Sequence, residues 1–479
     1  MTRVTTIVLA FALLASGARA ESAAPDGRPM FDPRDFGARS DGVHDDTAAF
    51  QAAVDRAGAV GGVVRVPAGR HLVGSIELPS HAAIEGEGAA SVLVLKPQPL
   101  ADGGGERRSP ARPGHMFLPK DMATVAAVEG VGIARLTLLG SSREQNGGRP
   151  MPLSGAIHGI AVLGGRGWVI REVRVEDFDG DGIYLGANPL FPGARARADG
   201  KLVWPTGTPP DDQPMAVGNR VENSVVRGNL RNGMMIAHGD GNVLRGNLFE
   251  ANQLGVVCVP RAGRDRVCAT PEAHPKFSPA VYESAELDLE PNRIRVRPGE
   301  PTIWQRVTDT LIEGNTFRNG PHLAVQIAKG PAEIGGNRIV ANRFDDNRGG
   351  AIVVFAEGAH DTTIEANDFG WSAAAHQSTV IRLHAGDGNR IVANRFQGPL
   401  PASGRVVSLE AGSPRRPTRC TAFRDNLVEV PAAPAAAVVA FDRTLVDTLV
   451  AGNRFPLGGR LDVAPASLLE TDRDAACRP

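Results

Sequence analysis

One phrase of alternating apolar and polar positions returns through the second half of the chain. It reads Asn242-Val-Leu-Arg-Gly-Asn247-Leu-Phe249, then Thr310-Leu-Ile-Glu-Gly-Asn315-Thr-Phe317 and Asn337-Arg-Ile-Val-Ala-Asn342-Arg-Phe344. It continues as Thr362–Phe369, Asn389–Phe396 and Thr448–Phe455, with weaker copies at Asn223–Asn229 and Thr421–Asn426. From Asn315 through Asn342 and Asn367 to Asn394 the second Asn recurs every 25–27 residues, whereas 68 separate Asn247 from Asn315. A fixed period of this size predicts a solenoid with one supersecondary unit per repeat. Each unit is too short for two helices and their connections. Its β-branched residues alternate with period two between Gly and Asn, as in Ala351–Phe355, which predicts strands. The expectation is an all-β chain: a single-stranded right-handed parallel β-helix whose inward Ile, Val and Phe stack in columns. The repeated Asn suits a left-handed turn position and can also hydrogen-bond from coil to coil.

Between Asp35 and Gly88 the pattern changes. Asp46 is a helix N-cap candidate, Phe50, Val54 and Ala57 share one helical face, and Gly58 fits the C-terminal cap. The predicted helix, Thr47–Ala57, would cover the open end of the solenoid, where unpaired strand edges and core would otherwise meet water. Asp45 and Asp46 serve capping better than catalysis. The segment holds Asp35-Phe-Gly-Ala38, Asp41-Gly-x-x-Asp-Asp46-Thr47, a Gln51-x-Ala53 helix and Val66-Pro-Ala-Gly69. It resembles the N-terminus of the pectate-lyase superfamily, the group of rhamnogalacturonase-like and epimerase-like enzymes. The resemblance is close at the cap and loose over the repeats. It implies a right-handed parallel β-helix acting on polysaccharide, and it transfers no mechanism, because that fold hosts lyases, hydrolases, epimerases and adhesins.

Composition fits a globular product: 42% hydrophobic residues and a net charge of −1 argue against disorder and against a polyanion-binding surface, so nucleic acid is not an expected partner. The start of the chain reads as a secretory signal peptide, residues 1–20: Arg3, an apolar run from Ile7 to Ala15, and Ala18-Arg19-Ala20 before Glu21. The apolar run is too short to span a bilayer. A secreted or periplasmic protein follows, with a single domain over 21–479: an N-terminal cap at about 31–90, coils over about 63–465 and a tail at 466–479. Oligomeric state is left open. Four Cys in an exported chain allow two bridges, with Cys258–Cys268 the local pair and Cys420–Cys477 tying down the tail.

Aligning coils by their central strands superimposes Gly182–Gly186, Gly233–Ala237, Glu286–Glu290, Ala324–Ala328 and, less surely, Ile352–Phe355 and Val380–His384. The outward column then reads Tyr184, Met235, Asp288, Gln326 and, further on, Arg382. Glu290, His384, His238, Lys329 and Glu357 lie beside it. Long insertions at Ala187–Val217 and Val256–Ser284 flank the same face and predict a walled groove. The candidate catalytic residues are Asp288, Glu290, His238 and Tyr184; the candidate substrate-binding residues are Gln326, Lys329, Arg382 and Asp181. The acidic members could hold Ca²⁺, although no ligand loop of fixed spacing is present. No other cofactor is expected.

Two chemistries fit such a groove. A uronate lyase or epimerase neutralises a carboxylate and moves the proton beside it, which Tyr184, His238, Gln326 and Lys329 could do. A glycoside hydrolase needs two carboxyls across the scissile bond, which Asp179, Asp181, Asp288 and Glu290 could supply. Asp179-Gly-Asp181-Gly-Ile183 is faintly similar to a segment of polygalacturonase-like hydrolases, but the Asp-Asp, Gly-His-Gly and Arg-Ile-Lys set that should follow is missing. A lyase or epimerase on an acidic polysaccharide is therefore the expected activity. A hydrolase, or a surface β-helix that binds glycans unchanged, is the alternative.

Overall fold

The computed structural model describes residues 26–97, 114–140 and, with breaks of which 270–284 is the longest, 157–462. The signal-peptide segment, the tail at 466–479 and Glu290, Lys329, Glu357, His384 and Cys477 lie outside the described residues. Three long sheets carry the chain. The first runs in thirteen strands from Met30–Phe31 to Leu449–Ala451. The second has twelve, from Asp41–Asp45 to Leu427–Glu429, and the third twelve, from Ile76–Leu78 to Arg460–Asp462. Successive coils pair parallel and in register, as in Ile312↔Ile339↔Ile364↔Ile391 and Phe317↔Phe344↔Phe369↔Phe396. This is a right-handed parallel β-helix, with more coils than the ten or so that the repeats suggest.

The period exists because one residue pattern closes each coil on its neighbours. Inward Ile339 and Phe344 are 0% and 2% exposed, and the Phe column from Phe249 to Phe396 stacks at 4.7–5.0 Å between ring centroids. At the corner between the first and second sheets the repeated Asn forms a ladder. The backbone N–H and the Nδ2 of Asn342 both donate to Oδ1 of Asn367, at 2.8 and 3.0 Å, and the same Nδ2 donates to Ile312 O. Asn367 repeats this toward Asn394, and Asn394 toward Asn426. The left-handed position is not the Asn itself but the residue before it: Ala341, Ala366, Ala393 and Gly452 have φ of 54°, 53°, 56° and 63°. The Asn is there for its amide, which satisfies turn groups that burial would otherwise leave unpaired.

The capping helix spans Thr47–Val60, three residues beyond the expected end, and stops at Gly61 with φ 64°. It buries Phe50, Ala53, Val54 and Ala57 over the first coil. Gly58 is small for a different reason from capping: a Cβ there would stand 2.3 Å from Pro79 Cγ. Asp46 occupies the N-cap position but turns its carboxylate back to accept from Arg39 N and Ser40 N, while Asp45 accepts from Thr47 N. Among the described residues no helix is long and apolar enough to cross a membrane.

Candidate functional site

The interruptions of the solenoid cluster at the third sheet. A two-stranded antiparallel ribbon, Arg195–Ala196 with Leu202–Val203, follows the strand Ile183–Gly186. Two more, Val257–Pro260 with Arg266–Ala269 and Arg293–Ile294 with Ile303–Trp304, stand before and after the strand Ala285–Leu289. On the third sheet the register aligns Ala161, Tyr184, Met235, Asp288, Gln326, Val353, Arg382 and Ser408. That is the outward column drawn from the sequence. It is not an open groove floor, however. Asp288 is 0% exposed and Gln326 1%, with Gln326 Nε2 at 3.5 Å from Asp288 Oδ1. Asp288 thus has the outward register expected of it but is buried, not open to the groove. Nearer the N-terminus, Leu118, Met122, Ala161 and Leu163 form a small apolar cluster against which Tyr184 and Leu190 pack. Asn188 fastens the start of this insertion, donating to Met122 O and Val125 O.

A second row lies three residues before the column, at the corner where the chain enters the third sheet. His115, His158, Asp181 and Asn232 occupy equivalent places there, each two residues before a strand's first register pair. Each side chain accepts the backbone N–H of the next coil. His158 N donates to His115 Nδ1 at 3.1 Å, Asp181 N to His158 Nδ1 at 3.0 Å, Asn232 N to Asp181 Oδ1 at 3.1 Å, and Ala285 N to Asn232 Oδ1 at 2.9 Å. A ring nitrogen that accepts cannot carry the proton, so His158 is the neutral tautomer protonated on Nε2. Its burial, and then the Arg231 guanidinium, hold its pKa down at about 3. The 3.4 Å contact of His158 Nδ1 with Asp181 Oδ2 is therefore not an ion pair at neutral pH. Asp181 is fully buried and its pKa is raised by that burial, with Arg231 opposing the shift.

Rings stack along this row. His115 lies on His158 with centroids 4.7 Å apart, and His158 on Tyr184 at 4.8 Å with planes 5° apart. Arg231 places Nε 3.4 Å from Asp181 Oδ1 and Nη2 2.8 Å from Sδ of Met235, the register partner of Tyr184. The Arg231 side chain is 23% exposed and Tyr184 is half-buried. These two reach solvent; His158 and Asp181 stand behind them. His238 is used differently. Nε2 faces Gln213 O at 3.2 Å and Nδ1 accepts Arg306 N–H at 3.1 Å, so the ring fastens one coil to its neighbours, and burial lowers its pKa. The structure thus brings Tyr184 and Asp181 together, sets Asp288 with Gln326 two strands away, and leaves Arg382 further along the column. Sequence reasoning missed His115, His158 and Arg231. The signal was a polar residue recurring just before four successive strands of the third sheet. Among the described residues no three His, Cys, Asp or Glu side chains converge as a metal-ligand set.

Glu286, at the start of the Asp288 strand, has a structural place. It is fully buried in the corner ladder, where Asn252 N donates to Oε1 at 3.0 Å and Asn252 Nδ2 bonds Oε2. It fills the place that Gly320, with no side chain, leaves in the next coil: a Cβ on Gly320 would lie 2.9 Å from Glu286 Oε1. Burial raises its pKa to about 8, against about 4.3 in an unfolded chain. Between those values the folded state holds a proton that the unfolded state releases, so stability falls as pH rises through the window, by about 1.4 kcal/mol per unit. Glu286→Gln keeps an oxygen able to accept both Asn252 donors, as Asn367 does for Asn342. It is expected to raise the melting temperature at pH 8 and to flatten its decline between pH 5 and pH 8 (about the two pKa limits), read by thermal denaturation across that range.

This architecture defines a right-handed parallel β-helix protein. Residues 158–369 match the model of a right-handed beta helix region, and residues 31–108 that of rhamnogalacturonase A/epimerase, pectate lyase-like proteins. The resemblance drawn from the cap motif and the repeats is carried by both. Among particular relatives, mannuronan C5-epimerase AlgE3 of Azotobacter vinelandii is 53% identical over 55 residues, 11% of this chain and 3% of that protein. The chain therefore spans a small part of the curated relatives it matches. In fold it is similar to the A-module of mannuronan C-5 epimerase AlgE4 of Azotobacter vinelandii, with TM-score 0.56 and 15% identity over 92% of this chain and 100% of that one. The Dettilon tailspike protein superimposes with TM-score 0.57 and 13% identity over 92% of this chain and 70% of that one.

Proposed function

We propose that the protein acts on a uronate-containing polysaccharide, as a lyase or an epimerase, at the site around Tyr184 and Arg231. The observation that carries this is a half-buried tyrosine stacked on a neutral, fixed imidazole with a partly exposed guanidinium beside it. The proton next to a sugar carboxylate is acidic only if the enolate it leaves behind is stabilised. Arg231 would neutralise that carboxylate, with Asp181 beside the Nε edge of its guanidinium. The Tyr184 oxygen would move the proton at the neighbouring carbon, and His158 would hold the phenol ring in place. In an epimerase a solvent-derived proton is added to the opposite face; in a lyase the electron pair forms a double bond and expels the linking oxygen, which leaves protonated. The short match to mannuronan C5-epimerases supports the substrate class.

The carboxyl pair that a hydrolase needs is less well served. Asp181 and Asp288 stand two strands and three residues apart on the third sheet, and both are fully buried, so neither presents a carboxyl to a glycosidic bond. We propose further that the chain is exported behind its first twenty residues. Cys258 and Cys268 would form a bridge, being directly opposed in an antiparallel ribbon, where Cα separations of about 4.5–5.5 Å suit a disulfide.

The test is incubation with a panel of acidic polysaccharides, read for ultraviolet absorbance of unsaturated uronates and separately for reducing ends. Absorbance with new ends identifies a lyase, and inverted sugars without new ends an epimerase. New ends without absorbance would overturn the proposal in favour of a hydrolase, and no change in any chain would leave a glycan binder.

A further inference from the structure

Arg382 lies on the same outward column, five register steps from Tyr184 through Met235, Asp288, Gln326 and Val353. At about 4.8 Å per strand it stands roughly 24 Å along the solenoid axis from the candidate centre. Its register neighbours are Val353 and Ser408, neither of them charged. The side chain is half-buried, and its Nε is shut off from water without any hydrogen-bond partner. Among the described residues no carboxylate lies within ion-pair distance of its guanidinium, whereas Arg231 at the other end of the same face leans on Asp181. A buried donor without an acceptor is disfavoured, and native folds seldom keep one that nothing ever meets. A guanidinium fork presents its donors in the geometry of a bidentate oxyanion.

We infer that Arg382 is a distal anion subsite: it pairs with a sugar carboxylate of a polyuronate chain laid along the third sheet, several sugars away from the residue at Tyr184 and Arg231. This rests on the proposed substrate class, and it adds a direction and a minimum length. The chain runs parallel to the solenoid axis, and only oligomers long enough to reach from Tyr184 to Arg382 use both ends. Sulfate esters offer the same oxyanion chemistry, and the experiment separates the two sources.

Direct binding, by calorimetry and without turnover, tests the subsite independently of whether the centre reacts. The probes are size-graded polymannuronate, polyguluronate and polygalacturonate, carboxyl-reduced versions of the same chains, and dextran sulfate. Against the best-bound polyuronate, Arg382→Gln is expected to weaken long chains at least tenfold, about 1.4 kcal/mol. It should leave short oligomers and carboxyl-reduced chains as they bind wild type, with an unchanged melting temperature. Arg382→Lys, which keeps the charge and loses the fork, should fall between the two and serves if the Gln variant unfolds. Equal affinity of Arg382→Gln and wild type for long polyuronates would overturn the subsite, as would a wild type that binds none of the three. Dependence on Arg382 for dextran sulfate alone would overturn its assignment to a carboxylate.

Discussion

Ile339→Asp is expected to abolish cooperative folding of the solenoid or to lower its melting temperature by tens of degrees. Ile339 is 0% exposed, with Ile312 and Ile364 directly above and below it in the first sheet. A carboxylate there would have no partner and no water, and a buried unpaired charge is among the few single changes that cost more than about 4–5 kcal/mol. The defect would not stay local, since each coil is held only by its neighbours. Val340→Asp is the control. It is the next residue in the strand, half-buried on the other face, and should cost about 1 kcal/mol or less. Circular dichroism melts of the two variants check this, and equal losses would mean that inward and outward faces have been confused.

The second large effect is chemical. Tyr184→Phe keeps the ring that stacks on His158 and packs against the apolar cluster around Leu118 and Ala161, and removes only the phenolic oxygen. Loss of a positioned proton-transfer group typically costs 10²–10⁴-fold in rate. The variant is therefore expected to lose at least a hundredfold in turnover on the natural polyuronate, with a melting temperature within a few degrees of wild type. His158→Asn separates the ring's position from the phenol's chemistry. Asn232 shows that an Asn can serve this ladder place, so the turn N–H of Asp181 keeps its acceptor while the stack under Tyr184 is lost. Turnover should fall with little change in stability. Full activity of Tyr184→Phe would remove Tyr184 from the chemistry.

Much of this architecture was legible in the residues, because a solenoid writes its period into the chain. The Asn-x-Ile-x-x-Asn-x-Phe phrase names the inward Ile and Phe and the corner Asn in one unit, and strand pairing in register then fixes the column Tyr184–Met235–Asp288–Gln326–Arg382. What the pattern could not show was depth. An outward position that faces solvent and one that is covered have the same alternation, so the pattern did not show that Asp288 is buried. Nor does alternation tell a groove residue from a corner residue. Glu286, which the alternation does not set apart from Asp288, is a ladder rung that stands in for the side chain Gly320 lacks. His238 drew notice as an ionisable residue beside the column, but its ring nitrogens face the backbone of Gln213 and Arg306. His158 escaped notice because its strand was not aligned with the others, and Arg231 because it belongs to a turn.

If this face moves the proton beside a uronate carboxylate, solvent deuterium reports that step most directly. Polyuronates incubated with the protein in D₂O, then examined by proton NMR, are expected to show deuterium at the carbon bearing the carboxylate in inverted sugars, or else unsaturated chain ends. Tyr184→Phe should show neither. Chains cleaved to saturated ends with that carbon–hydrogen bond intact, or left unchanged by the wild-type protein, would contradict the account.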